Sequence, residues 1–166
     1  LTGSEVDILP DGRLDFEDEV LAELDVVVAS INQGFSNEEA VMTQRLIRAA
    51  SNPNVHMLGH LTGRLLLDRA AYKVNHQAVI DCCAETGTWI ELNANPWRFD
   101  LDWRHWPAAT ALGVRCAINC DAHNHQQAGF LRLGAGIARK GGLTARDVVN
   151  TLPLPALQRE LRRKRE

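Results

Sequence analysis

The chain has 166 residues and a formal net charge of −3, which suits one domain built on one core. Its 45% apolar and 23% charged residues are those of a soluble globular protein. No apolar run is long enough to span a membrane and no secretory signal opens the chain, so a cytoplasmic protein with no membrane partner is expected.

In chain order, Glu5-Val6-Asp7-Ile8-Leu9 predicts a short strand, closed by the turn Pro10-Asp11-Gly12. Phe16 to Leu24 predicts an acidic helix. The β-branched run from Leu24 to Ile31 has the nearly continuous apolar character of a buried parallel strand and ends at Asn32-Gln33-Gly34. Ser36-Asn37-Glu38-Glu39 offers a cap for a helix that Asn52-Pro53 stops. Val55 to His60 predicts the next strand, followed by the loop Leu61-Thr62-Gly63-Arg64. A helix over Asn75 to Glu85 ends at Gly87, and Thr88 to Asn93 predicts another strand. Trp103 to Leu112 predicts a helix, Val114 to Asn119 a strand, and Gln126 to Arg139, Thr144 to Asn150 and the residues after Pro155 further helices. Strand and helix alternate at short spacing about five times, the signature of βα units around a parallel sheet, with too few units for an eight-stranded barrel.

Charge and cysteines add little chemistry by themselves. Residues 1–40 carry many acids and one base, Arg13, whereas residues 153–166 form a strongly basic end, expected to be a solvated helix tail. Of the four cysteines, one of the neighbours Cys82 and Cys83 is expected to face the core, and Cys116 and Cys120 to face one side of a strand. Neither pair has C-x-x-C spacing, so free thiols are expected. The four tryptophans are read as core and rim packing rather than nucleobase platforms.

Chemistry gathers where predicted strands end, which is where parallel βα architectures place their sites. Those ends carry Asn32, His60, Glu91 with Asn93, and Asp121 with His123, and Glu5 lies in the first strand. On extended backbone Asp121 and His123 would point to one side and could share a metal ion; an N-cap Asp beside a surface His is the structural alternative. Two carboxylates with two imidazoles suit Zn, Mn or Fe. Arg64, after Gly63, is a candidate phosphate contact or a surface ion-pair partner.

The order of five strings resembles the successive motifs of a PHP domain, specifically that of bacterial and archaeal family X DNA polymerases. They are Gly3-Ser4-Glu5-Val6-Asp7-Ile8, Ala29-Ser30-Ile31-Asn32-Gln33-Gly34-Phe35, Gly59-His60-Leu61-Thr62-Gly63-Arg64, Glu91-Leu92-Asn93-Ala94-Asn95-Pro96 and Asn119-Cys120-Asp121-Ala122-His123. The resemblance implies an α/β fold: parallel βα units forming the C-terminal part of a distorted seven-stranded (β/α) PHP barrel over residues 1–152, with 153–166 its basic C-terminal tail. It implies a metal-dependent phosphoesterase, a 3′–5′ exonuclease acting in DNA repair, with Mn or Zn as cofactor. The implied ligands are Glu5, His60, Asp121 and His123, with Glu91 and Asn93 around the site and Arg64 on phosphate. DNA, the rest of the PHP domain and an upstream polymerase domain are the implied partners.

Two departures stand out. Asn32 occupies a position where the family has His, and Leu61 one where it has Pro. The HxH string that opens such domains is expected before Leu1, as part of a larger polypeptide. The alternatives are a catalytically inactive structural or DNA-positioning module and, more distantly, a stand-alone phosphatase of the histidinol-phosphate type.

Overall fold

The computed structural model describes residues 1–164. Its centre is a five-stranded sheet in which every pairing is parallel and the strands lie in chain order. The strands are β1 (Gly3–Asp7), β2 (Val26–Ser30), β3 (Met57–Leu58), β4 (Trp89–Asn93) and β5 (Cys116–Asn119). The helices are α1 (Asp18–Ala22), α2 (Glu39–Ala50), α3 (His76–Thr86), α4 (Trp106–Ala111), α5 (Leu131–Lys140) and α6 (Leu154–Arg163). Sequential order in a parallel sheet is the arrangement of a barrel wall rather than of a doubly wound sheet. Among the described residues no helix is long and apolar enough to cross a membrane.

Register sorts the side chains. Glu5 pairs with Val28, Val28 with Met57, Met57 with Trp89 and Glu91 with Ala117, so these residues share one face. Val26, Val28, Met57, Trp89 and Ala117 make the N-terminal half of that face apolar, and Val149 and Leu161 pack against it. Its C-terminal part is polar, carrying Asp7, Ser30, Glu91, Asn93 and Asn119, and Glu5 lies level with Val28 and Met57. The other face supplies Val27, Ala29, Leu58, Ile90 and Leu92 to the main core, with Leu46 of α2 and Val79 of α3. Both faces are therefore covered, which explains the nearly continuous apolar runs in β2 and β4. His56 is a structural histidine: its Nδ1 accepts from Val27 N–H at 3.1 Å, which leaves Nε2–H to donate to the Leu161 carbonyl at 3.2 Å and pins α6 to the sheet.

Several local expectations are corrected. The first strand runs over Gly3–Asp7 rather than from Glu5 to Leu9, and β3 spans two residues. The predicted helix over Thr144 to Asn150 is a turn followed by a single 3-10 turn at Val149–Thr151. Asp147 accepts from Thr144 N–H and Oγ1–H at 2.7 and 2.8 Å, and Val148 bridges to Cys116, so tertiary pairing overrides local helix preference. Glu38 precedes α2 without a side-chain cap hydrogen bond, so the predicted cap is unused. Asn75 does cap α3, accepting from Ala78 N–H, and Gly87 ends that helix in the left-handed conformation at φ 71°. Both Cys82 and Cys83 are buried, not one of the two, and all four cysteines are free. Cys120 lies beyond the end of β5. Arg165 and Glu166 of the predicted basic tail lie outside the described residues.

The first residue of α3, His76, stacks on His105 with ring centroids 4.1 Å apart. Burial, then the charge of His105, pushes the His76 imidazole down from 6.5 to about 4, against the attraction of Asp102. The unfolded chain therefore takes up the proton first, and stability drops as pH falls from about 6.5 towards 4. Melting temperature followed across that window should fall more steeply for the wild type than for His76→Phe, which keeps the stack and cannot titrate.

Candidate functional site

His60, Glu91, Asn93 and Asp121 sit along the C-terminal edge of the sheet, and two of them leave their strands on left-handed backbone. His60 follows β3 with φ 24° and Asp121 follows β5 with φ 48°, conformations that cost a non-glycine residue about 1–3 kcal/mol. Continued strand alternation would send His60 to the helix-covered face with Leu58. The left-handed turn instead brings its imidazole to Glu5 of β1, where Nε2–H donates to Oε1 at 3.0 Å. Gly59 makes the turn possible. A Cβ there would lie 2.4 Å from Ser30 Oγ and 2.9 Å from Val28 Cγ1.

Glu91 fixes the same turn from β4. Its Oε2 accepts the His60 backbone N–H at 2.6 Å and Asn93 Nδ2–H at 3.1 Å, and its Oε1 accepts from Asn119 Nδ2–H at 3.2 Å. Asn93 in turn accepts from Asn95 N–H at 3.0 Å and shapes the next loop. Asp100, fully buried, accepts both the N–H and Oγ1–H of Thr62 at 2.8 Å and holds the loop after His60. Burial raises the pKa of both Glu91 and Asp100, against the hydrogen bonds each accepts.

The Glu5–His60 pair is asymmetric in exposure, with side chains 43% and 5% accessible. The His60 hydrogen bond lowers the Glu5 pKa, burial opposes it, and the charges of His60 and Arg98 add to the lowering. For His60, burial disfavours the cation, but the Glu5 hydrogen bond and the charges of Glu91 and Glu5 outweigh burial and the repulsion of Arg98, and the pKa is raised. His60 Nδ1 is buried without a hydrogen-bond partner.

Asp121 and His123 are close but not on extended backbone. His123 Nδ1 hydrogen bonds to the Asp121 carbonyl oxygen at 2.8 Å and lies 3.7 Å from its Oδ1, while the His123 side chain is 77% exposed. Asp121 Oδ2 accepts from Arg98 Nε–H at 3.0 Å, both side chains being 15% exposed. Arg98, in the loop after β4, is the functional residue the sequence reading missed. It lies two residues beyond Asn95-Pro96, and its tie to Asp121, just beyond β5, is purely tertiary. Its charge also bears on Glu5 and His60. Asn32 donates from Nδ2 to Asp7 Oδ1 at 2.5 Å, two residues beyond Glu5 on β1. The Arg64 guanidinium is occupied within the fold, by the carbonyls of Arg98 and Phe99 and by Asp102 Oδ2 at 3.2 Å.

The donor types suit Zn or Mn, but their arrangement does not close a metal site. Glu5 and His60 are paired with each other and Asp121 with a cation. Among the described residues no group of three or more His, Cys, Asp or Glu side chains is placed to hold a metal ion.

No protein-family model matches the chain. Over 163 residues, 98% of its length, it is 42% identical to the DNA polymerase/3′-5′ exonuclease PolX of Bacillus subtilis (strain 168), of which it covers 29%. It is 27% identical over 161 residues to a probable phosphatase of Thermoanaerobacter sp. (strain X514), covering 63% of that protein. It is 31% identical over 133 residues to a probable phosphatase of Caldanaerobacter subterraneus subsp. tengcongensis, covering 50% of it. The chain thus spans under a third of its polymerase relative and about half to two thirds of these phosphatase relatives.

Proposed function

We propose that the chain belongs with the PHP regions of family X DNA polymerases and supplies part of a phosphoesterase site acting on the 3′ end of a DNA strand. The observation that carries the reading is that two of the four non-glycine residues with positive φ among the described residues, His60 and Asp121, stand just beyond the ends of β3 and β5, on either side of β4. Strain of this kind persists only where the surroundings over-determine it, and it concentrates at functional sites. Here Gly59, Glu91 and Arg98 do the holding.

In this reading Glu5 orients the His60 imidazole, Arg98 orients the Asp121 carboxylate, and His123 stands at the open side. The catalytic unit is shared: Glu5, His60, Asp121 and His123 are ligands to Mn or Zn only together with donors from the rest of the PHP domain. A polymerase domain in the same polypeptide delivers the DNA. Residues 1–152 are the barrel portion, and α6 with the basic tail belongs to the same domain through Leu161 and His56.

Asn32, turned to Asp7, favours a second reading, in which the domain positions DNA for the polymerase and no longer cleaves it. Calorimetric titration of Mn separates the two. The 166-residue chain should bind weakly at micromolar protein, and the intact protein tightly. Two or more tight equivalents on the chain alone would sink the shared-site proposal, and no binding to the intact protein would leave the silent module.

A further inference from the structure

The structure separates the four tryptophans by what their rings do. Trp106 is fully buried and Trp89 is 6% exposed. The Trp103 ring lies under the cations of Arg104 and Lys140, at 4.8 and 4.7 Å. Trp97 is 59% exposed, and no other ring or cation stacks on it among the described residues. Yet its backbone is fixed on both sides. Its N–H donates to Asn95 Oδ1 at 3.1 Å, and its carbonyl accepts from Leu66 N–H at 2.6 Å. The indole therefore sits on rigid backbone, in the residue next to Arg98.

Trp97 lines an open cavity of about 250 Å³ with Leu65, Leu66, Asp68, Asn95, Arg98, Asp121 and His123. One end is apolar and aromatic, and the other is the Asp121–Arg98–His123 end of the candidate site. A group that fits both ends is flat and apolar on its faces and carries a phosphodiester at one edge. We propose that Trp97 is a stacking platform for the unpaired 3′-terminal nucleobase of a DNA strand, with Leu65 and Leu66 walling the base. The proposal rests on the phosphoesterase reading and deepens it by naming the residue that holds the terminal base. Stacking on an exposed indole accepts any base, because every base has a π-face, so the platform selects for an unpaired end and not for sequence. On this proposal Trp97 departs from the core and rim packing expected of the four tryptophans.

The test uses the intact protein and fluorescence anisotropy with two 5′-labelled single strands. Both carry a phosphorothioate at the last linkage to slow cleavage; one ends in dA and the other in an abasic residue. The wild type should bind the dA end about tenfold more tightly than the abasic end. Trp97→Phe should keep most of that preference, and Trp97→Ala should abolish it while leaving the affinity for the abasic end unchanged. Equal affinity of the wild type for the two ends overturns the platform. So does an equal loss on both strands in Trp97→Ala, which would mean that the ring packs against another part of the protein. Absence of binding to either strand overturns the platform together with the phosphoesterase reading, whereas a platform failure alone leaves metal-dependent cleavage intact.

Discussion

His60→Ala is expected to lower Mn-dependent release of nucleotides from a recessed 3′ end by on the order of a hundredfold. Two losses combine. The site loses the imidazole, and Glu5, 43% exposed, loses the partner that orders it and keeps it ionised. Fold should survive, because what anchors this turn is backbone: Glu91 holds the residue 60 N–H whatever side chain is present. His60→Asn is the informative companion, since Asn tolerates left-handed φ better than most residues. It should match the wild type in far-UV circular dichroism and share the activity loss. Activity near wild type in both variants would remove His60 from the chemistry.

Arg45→Met should be the most damaging single change to stability, at about 3 kcal/mol. Arg45 is 2% exposed in the middle of α2. It donates from Nη2 to the Ile8 carbonyl at 2.5 Å, from Nε to Leu9 at 3.0 Å and from Nη1 to Gln33 at 3.0 Å. Methionine fills similar volume but takes the donor from the Ile8 and Gln33 carbonyls, while the Leu9 carbonyl keeps the Gly12 N–H; a buried carbonyl left unmade costs about 1–3 kcal/mol. Part of that is offset because burial already disfavours the guanidinium charge, as the lowered Arg45 pKa records. Urea unfolding should show a lower midpoint with an unchanged m-value. Because Arg45 ties the segment after β1 to the one after β2, activity should fall as well.

Much of the architecture was legible because alternation and burial are local in sequence. The runs around Val27, Ile90 and Ala117 read as parallel strands, and the polar residues that follow them do line one edge of the sheet. What could not be read is what depends on pairing across the fold. β3 ends after Leu58 because Gly59 approaches Ser30 and His60 turns left-handed, and neither event has a signature in the run from Val55 to His60. The Asp121–His123 pair suggested extended backbone, whereas Arg98 and the left-handed turn at Asp121 set its geometry. Arg98 was invisible because its partner is 23 residues away. Trp97 and Trp106 cannot be told apart by composition; only packing makes one a core residue and the other a surface ring.

Cleavage of a labelled duplex with a recessed 3′ end by the intact protein, with Mn and then with a chelator, tests the central claim most directly. The account predicts stepwise shortening from the 3′ end that the chelator stops and His60→Ala abolishes. A wild type that leaves the strand intact, while Asn32→His gains cleavage, would contradict it and identify a domain that no longer cleaves DNA.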